Sequence, residues 1–421
     1  MQTNLAAEFI NTPDGIEAES ILRKCVHCGF CLATCPTYQL LGDELDSPRG
    51  RIYLMKQVLE GETPTAKTQL HLDRCLTCRA CETTCPSGVE YGRLVDIGRD
   101  IVEKKVGRSA LDGIKRSVLK NALPQTKLFG VALTLGRVVK PLLPAAIQKK
   151  IPAKRDAGVW PEPRHAREML VLAGCVQPAM APAINAATAR VLDKLGISLV
   201  MAANAGCCGA IPHHLNDLDA AHAMMKANID AWWPHVEAGA EAIIVTASGC
   251  GTTVAEYGHA LRHDEAYREK AKRISTLFRD VSSVVSQERD ALAVLFAARP
   301  TLTKTPLAFH SPCSLQHGLK IKGVVEELLQ DAGYQLTAVP DGHLCCGSAG
   351  TYSILQSQLS QQLLTNKVAA LLSGAPSIVA TANIGCLAHI ESGLNSHAVA
   401  GTALTAKTPI VHWVELLDAR L

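Results

Sequence analysis

At 421 residues and 48% apolar content, the chain is long enough to bury several cores and is expected to form two to three domains. Its first residues, MQTNLAAEFINTPDGIEAE, carry neither a basic n-region nor an apolar h-region, so the sixteen cysteines are expected in a reducing compartment and not in a secreted disulfide framework. The longest apolar stretch, Leu128 to Ile147, is broken by Arg137, Lys140, Pro141 and Pro144 and cannot cross a bilayer as a regular helix.

In chain order, the first hundred residues hold two runs of the form C-x2-C-x2-C-x3-C-P: Cys25, Cys28, Cys31, Cys35-Pro36 and Cys75, Cys78, Cys81, Cys85-Pro86. This is the pattern by which a chain wraps two 4Fe–4S clusters, and a protein that carries it moves electrons. Three thiolates two residues apart lie on one tight loop and face three corners of a cube. The fourth lies too far along to close that cube, and in two-cluster ferredoxins it ligates the other cluster. One cluster is therefore expected on Cys25, Cys28, Cys31 and Cys85, and the second on Cys75, Cys78, Cys81 and Cys35. Pro36 and Pro86 redirect the chain after each fourth ligand. Zinc is the competing occupant, but the third evenly spaced Cys and the paired Cys-Pro ending are not typical of zinc ribbons. His27, inside the first loop, is expected to tune a potential and not to bind iron. Lys24, Arg74 and Arg79 either offset cluster charge or are plain surface charges.

Between the runs, Ser47 to Glu60 reads as a helix opened by a Ser cap with Pro48 at its first position. It is longer than a compact βαβ ferredoxin requires, so an α-helical ferredoxin domain is expected over residues 1–105. The connector, 106–165, is basic and punctuated by proline. Residues 101–155 carry thirteen Lys/Arg against Glu103 and Asp112, a net +11 that leaves −8 for the rest of the chain. With Leu128, Phe129, Val131, Leu133, Leu135, Val138 and Val139 interspersed, the segment reads as a face for an anionic membrane surface, as a solvated helical linker, or as a dock for an acidic partner. Phe129 is its only aromatic side chain, which argues against nucleic acid.

From Arg167 onward the chain repeats itself. Cys175, Cys207 and Cys208 recur 138 residues later at Cys313, Cys345 and Cys346, and Cys250 recurs after 136 at Cys386. In each half the first and last Cys follow β-like runs, 169–173 and 242–246, then 307–309 and 377–381. A helix closed by glycine lies between them (185–195 before Gly196, 324–332 before Gly333), followed by a short strand leading to Cys-Cys-Gly. Alternating strands and helices imply two tandem α/β domains with parallel sheets, 166–295 and 300–421. Ligands of such sheets collect at the carboxyl ends of the strands. Cys175, Cys207, Cys208 and Cys250 should converge there, as should Cys313, Cys345, Cys346 and Cys386. Each set is an additional metal, Fe–S or redox-thiol site; the alternative is buried structural cysteine. His310, His317 and His389 stand near the second set, and Gly209 and Gly347 leave the backbone free to approach a ligand or to adopt positive φ.

No G-x-G-x-x-G fingerprint, Walker loop or G-x-S-x-G elbow is present in the sequence, so the chain is not expected to hold FAD or to be catalytic alone. Clusters pass one electron each, so a two-electron organic substrate requires a flavin on a partner polypeptide.

With CVHCGFCLATCP and CLTCRACETTCP followed by two Cys-Cys-Gly repeats, the chain resembles the iron–sulfur subunits of bacterial glycolate oxidase over nearly its whole length. PTYQLLGDELDSPRGRIYLMKQVLEG, NIDAWWPHVEAGAEAI, TASGCG, HLCCGSAGTY and TANIGC carry the likeness further. The wider family includes the anaerobic glycerol-3-phosphate dehydrogenase C subunit, the lactate-utilisation iron–sulfur protein and heterodisulfide reductase subunits. The resemblance implies a complex with FAD-binding subunits that oxidise glycolate to glyoxylate, two clusters, and a membrane quinone as acceptor. It also implies a cytoplasmic location, peripheral on the inner face of the membrane. Related lactate or glycerol-3-phosphate dehydrogenases, or a thiol/disulfide reductase built on the repeats, are the alternatives. In heterodisulfide reductases each repeat ends in C-x-x-C, whereas here Thr253 and His389 occupy the second position. The resemblance therefore carries no more than two clusters.

Overall fold

The computed structural model describes residues 1–142, 144, 148, 151–299, 305–397 and 408–421. Parts of three sequence readings lie outside the described residues: 143 and 145–147 of the apolar stretch, 149–150 of the basic segment, and 300–304 and 398–407 of the second repeat. Two compact units make up the chain. The first is Met1–Ser117 with His214–Asn216 and His343–Asn366; the second is Val118–His213 with Asp217–Gly342 and Lys367–Leu421.

The first unit is helical, as its cap and glycine signals predict. Helix α1 (Pro13–Lys24) starts at Thr12, whose hydroxyl accepts from the Gly15 amide at 3.0 Å, with Pro13 in its first turn and Arg23 and Lys24 in its last. A short α2 (Pro36–Leu41) follows the first cysteine run. Helix α3 (Pro48–Leu59) is capped by Ser47, as the sequence predicts, and α4 (Ala66–Asp73) by a Thr65–Thr68 capping box. A short α5 (Ala80–Thr84) closes the second run, and α6 (Tyr91–Val106) spans the unit until Gly107, at φ +73, ends it. Helix α6 packs against α1, α3 and α4. Ile21, Leu22, Ile52, Met55, Leu72, Leu94 and Val102 fill the space between them. The α3–α6 approach depends on Gly98: a Cβ there would stand 2.5 Å from the Met55 sulfur. These packed helices hold the two cysteine loops at their ends.

Two further helices, α7 (Ala110–Ala122) and α8 (Thr126–Val139), form the basic connector. They bury no residue fully, and among the described residues no helix is long and apolar enough to cross a membrane.

The second unit holds two four-stranded parallel sheets of identical order. In the first, β1 (Arg167–Val171) lies between β2 (Ile197–Val200) and β3 (Ile243–Val245), and β4 (Phe278–Asp280) extends the edge beyond β3. Arg167 stands opposite Ile197, Leu170 opposite Ile243, and Ile243 opposite Phe278. In the second, β5 (Thr305–His310) lies between β6 (Tyr334–Leu336) and β7 (Ile378–Thr381), with β8 (Ile410–His412) beyond β7. Three strands per half match the sequence reading. The fourth, three residues long in each half, is too short to show a period and went unread.

After its fourth strand each half sends a helix to the other. The Trp413–Asp418 helix packs on Ala183–Lys194 of the first half, and the Val281–Gln287 helix packs on Val324–Asp331 of the second. Trp413 is fully buried, and Arg190 holds Asp418 through paired hydrogen bonds of 2.6 and 2.9 Å. His412 Nε2 lies 3.0 Å from the Thr246 carbonyl, and the Ser248 amide donates to the Ala382 carbonyl at 3.2 Å. The two halves are thus one packed body.

Asp280 caps the first exchanged helix, accepting from the Ser282 amide and hydroxyl, while its Oδ2 is buried without a partner. Burial pushes its pKa from 3.8 up to about 6. The unfolded chain ionises this carboxyl near 3.8 and the folded chain only near 6, so its contribution is intact at low pH and is lost as pH rises through that window. The loss reaches about 3 kcal/mol above the window. Asp280→Asn keeps the cap and is expected to raise the thermal midpoint more at pH 8 than at pH 5, read by scanning calorimetry.

Candidate metal centres

Both cysteine loops begin where a helix stops. The Cys25 amide donates to the Leu22 carbonyl and the Cys75 amide to Leu72, each at 3.1 Å. The loops then follow the same backbone path: φ is +57 at His27 and +83 at Gly29, and +54 at Thr77 and +58 at Arg79. Left-handed conformations at two positions of each loop, three of them not glycine, are backbone strain held in place by the surroundings. On this path the Thr77 amide donates back to the Cys75 sulfur at 3.4 Å. The fourth cysteines also match, with the Cys35 amide on the Leu32 carbonyl and the Cys85 amide on Glu82, both at 3.2 Å. Pro36 opens α2 immediately after Cys35, and a turn to Gly88 follows Pro86.

The eight thiols of the two runs lie near one another at the ends of these loops. Cys25, Cys28, Cys31 and Cys85 line one pocket with Ile52, Val89 and Tyr91, and Cys81 of the second run reaches the same pocket. Burial raises the Cys25 pKa, and the nearby Cys85 and Cys28 raise it further; burial and Cys25 push Cys31 up to about 11. Cys81 is buried among Cys78, Cys75 and Cys35, and its pKa lies well above the ordinary thiol value. Thiolates gathered in this way repel one another unless a cationic group binds them. An all-sulfur donor set of four suits a 4Fe–4S cluster at each site.

Buried cations stand behind the Cys75 set. Arg51 is 1% exposed and donates to the His71 carbonyl at 2.7 Å, to Thr37 Oγ1 at 3.1 Å and to Asp46 Oδ1 at 3.2 Å. Thr37 Oγ1 in turn lies 3.3 Å from Cys35 Sγ. Arg99 donates to the carbonyls of Cys75 and Leu72 at 2.6 and 2.8 Å and to Thr77 Oγ1 at 2.9 Å. The Tyr91 hydroxyl reaches Cys75 Sγ at 3.6 Å. Sequence reading missed Arg51, Arg99 and Tyr91, since a cation inside a helix looks the same whether buried or exposed. Of the cations it named, Arg74 pairs with Asp46 at 2.8 Å, Lys24 forms a surface pair with Glu90, and Arg79 supplies the left-handed backbone of the second loop. His27 lines the first pocket with Nε2 buried and unpartnered, and burial lowers its pKa.

In the first repeat the four cysteines do converge. Cys175 follows β1, Cys207 and Cys208 follow β2, and Cys250 sits in the helix Ser248–Ala255 after β3. Their thiols form a hydrogen-bonded chain, Cys175 to Cys207, Cys207 to Cys208 and Cys208 to Cys250. Cys207 accepts from both neighbours, so its pKa falls, and those of Cys175 and Cys208 rise in response. Asn228 and Tyr257, neither read from the sequence, clamp the pair: Asn228 Nδ2 donates to the Cys207 carbonyl at 2.8 Å and Tyr257 Oη to Cys208 at 2.9 Å. Gly209 has φ +90, and a Cβ there would stand 3.0 Å from the Ala221 carbonyl oxygen.

In the second repeat Cys313 and Cys386 follow β5 and β7 in the second unit, whereas Cys345 and Cys346 fall in the segment His343–Asn366 of the first. Gly347 repeats the glycine geometry, with φ +89 and a Cβ position 2.7 Å from the Ser360 carbonyl oxygen. His310 is buried with both ring nitrogens unpartnered and offers one within 4.8 Å of Cys386 Sγ; desolvation holds it neutral. His317 is buried and His389 half-buried.

A helical unit that presents two four-thiol sites, joined to a duplicated parallel-sheet unit with cysteines at its strand ends, defines a dicluster iron–sulfur protein with cysteine-rich domains. The 4Fe-4S dicluster domain family matches residues 21–89 and the cysteine-rich domain family matches 169–255 and 307–391. The chain is 51% identical over 423 residues to the glycolate oxidase iron-sulfur subunit of Escherichia coli (strain K12), covering 100% of this chain and 99% of that one. It is 30% identical to the probable glycolate oxidase iron-sulfur subunit of Bacillus subtilis (strain 168), over 95% and 94% of the two chains. Lactate utilization protein A of Bacillus velezensis is 26% identical, over 56% of this chain and 93% of its own. The chain belongs to the family of glycolate oxidase iron–sulfur subunits, and its role is electron transfer.

Gly29 has no room for a side chain: a Cβ would stand 3.0 Å from Arg49 Nη1 and 3.1 Å from Leu32 Cδ1, on a left-handed backbone. Gly29→Val is expected to cost about 1–3 kcal/mol, seen as a lower thermal midpoint; Gly29→Asn, which tolerates that conformation, is expected to cost less.

Proposed function

We propose that this chain is the electron-transfer subunit of a glycolate-oxidising dehydrogenase. It takes electrons from an FAD-binding partner that converts glycolate to glyoxylate and delivers them toward a membrane quinone. Cys25, Cys28, Cys31 and Cys85 hold one 4Fe–4S cluster, and Cys75, Cys78, Cys81 and Cys35 hold the other. The single observation that carries this reading is the pair of four-cysteine runs on loops that follow the same left-handed backbone path and bring their thiols together. Each cluster, when bound, takes up and releases one electron. The chain's own residues supply thiolate ligands, exclude water around Cys75 and Cys81, and present exposed Val26 and Phe30 at the first loop as an apolar rim for a partner. The cysteine-rich repeats are further metal or redox sites in this reading. The first is the better formed, with its four thiols in one hydrogen-bonded chain.

The connector supports a peripheral place on the inner face of the cytoplasmic membrane. Eight of the twenty exposed large apolar side chains among the described residues lie between Leu111 and Leu142. Five of them, Leu128, Val131, Leu135, Val138 and Leu142, recur at helical spacing along α8 and its extension. No Asp or Glu occurs between Asp112 and Asp156. An apolar stripe in a cationic, acid-free segment matches an anionic lipid surface.

Tagged protein from its native host is expected to recover a flavoprotein and glycolate-dependent dye reduction; recovery without flavin would refute the subunit assignment. Crossed ligation predicts that Cys35→Ala leaves the same residual EPR spectrum as Cys78→Ala, and Cys85→Ala the same as Cys28→Ala. Ligation within each run would instead pair Cys35 with Cys28. Val131→Glu/Val138→Glu is expected to abolish co-sedimentation of the full chain with phosphatidylglycerol vesicles while leaving its thermal midpoint unchanged.

A further inference from the structure

The charges around the two thiol sets are not equal. Behind the Cys75 set, Arg51 and Arg74 face a single carboxylate, Asp46, which is fully buried. Arg99, 8% exposed, has carbonyl and hydroxyl oxygens as its hydrogen-bond partners and no carboxylate. Of these cations Arg51 and Arg99 are buried and Arg74 is partly exposed; Asp46 offsets one buried charge, so Arg99 is the buried cation left without a carboxylate, while Glu82 stands on the Cys81 side. Three of the four thiols in this set, Cys75, Cys81 and Cys35, are buried. Around the Cys25 set, Lys24 is paired with Glu90 and Arg49 with Glu44 at the surface, and the amino-terminal ammonium donates to the Cys25 carbonyl from a part-buried position at 2.7 Å. Cys28 of this set is exposed, so water screens charge there.

Two effects compete at the Cys75 set. Dehydration disfavours the extra negative charge of reduction, whereas a buried cation favours it, and does so more strongly for lack of screening. Hydrogen bonds to sulfur act in the same direction as the cations. Arg99 reaches the Cys75 carbonyl at 2.6 Å, Tyr91 reaches its sulfur at 3.6 Å, and the Thr77 amide reaches the same sulfur at 3.4 Å. Arg51 is linked through Thr37 Oγ1 to the Cys35 sulfur. Arg99, buried without a carboxylate, and the hydrogen bonds directed at Cys75 both oppose the cost of burial at this site.

We propose that Arg51, Arg99 and Tyr91 make the Cys75–Cys78–Cys81–Cys35 site the more readily reduced of the two, building a potential step into this chain between its exposed and its buried cluster site. The inference rests on the two-cluster reading above. Arg51, Arg99 and Tyr91 are positioning residues whose charge and hydrogen bonds act through the cysteines they touch.

The test is an EPR-monitored redox titration of the full-length protein, isolated anoxically, with Cys28→Ala and Cys78→Ala spectra assigning each midpoint to its site. Wild type should show two midpoints, the higher belonging to the Cys75 set. Arg99→Gln should lower that midpoint by at least tenfold in the reduction equilibrium, about 59 mV for one electron, and leave the other in place. Arg99→Lys should restore most of the shift, and Tyr91→Phe should lower the same midpoint by a smaller amount. Equal midpoints, a higher midpoint at the Cys25 set, or a shift of both sites together in Arg99→Gln would overturn the proposal. Should Arg99→Gln fail to retain its iron, Tyr91→Phe, which removes only a hydroxyl, decides: an unmoved midpoint overturns the ordering. Absence of iron and acid-labile sulfide from wild type would instead defeat the two-cluster reading itself.

Discussion

Mutual repulsion among gathered thiolates is the constraint on which the rest of this structure depends. A cysteine that titrates near its ordinary value in water is pushed upward when buried beside another, and the shifts at Cys25, Cys31 and Cys81 all have that origin. The fold holds these groups together regardless. It does so with helices α1 and α4, whose ends release the loops at matching points, and with α6, which packs across both. Left-handed residues in each loop have a conformational cost that packing against Ile52, Met55 and Leu94 must offset. The raised pKa values keep these thiols protonated near neutral pH, so binding a cluster must release their protons and is pH-dependent.

The same principle separates the two kinds of cysteine site. In the helical unit the thiols are held by strained loops and faced by arginines. In the first repeat they are linked to one another, with Asn228 and Tyr257 fixing the Cys-Cys backbone. That chain of thiols distributes protons among its members, lowering Cys207 at the expense of Cys175 and Cys208. Four neighbouring thiols at the strand ends form a soft donor set.

Much of this was legible in the primary structure because cysteine spacing and strand–helix alternation leave marks that survive without tertiary context. The paired cysteine runs, the Ser47 cap, the duplicated halves and the placing of Cys175, Cys207, Cys208 and Cys250 at strand ends are all local or periodic signals. What escaped was what only packing decides. Arg51 and Arg99 sit at helical positions where a surface arginine would look the same. The fourth strands, Phe278–Asp280 and Ile410–His412, are too brief to alternate. The exchange of helices between halves depends on which of two equivalent grooves each helix fills, and no window of sequence contains that information. Tyr257 and Asn228 likewise lie 49 and 21 residues from the carbonyls they hold.

The exchange itself bears on how the molecule came to be. Within one half, the groove along Ala183–Lys194 is filled by a helix that starts at Trp413, and the groove along Val324–Asp331 by one that starts at Val281. Each groove is thus completed from the other half, while the Trp413 helix also rests on Val324–Asp331 of its own. Duplication of one α/β unit accounts for the strand order and cysteine spacing that the two halves share. Sequence divergence could then follow in either copy, so that Asp280 and His412 now cap equivalent helices with opposite acid–base chemistry.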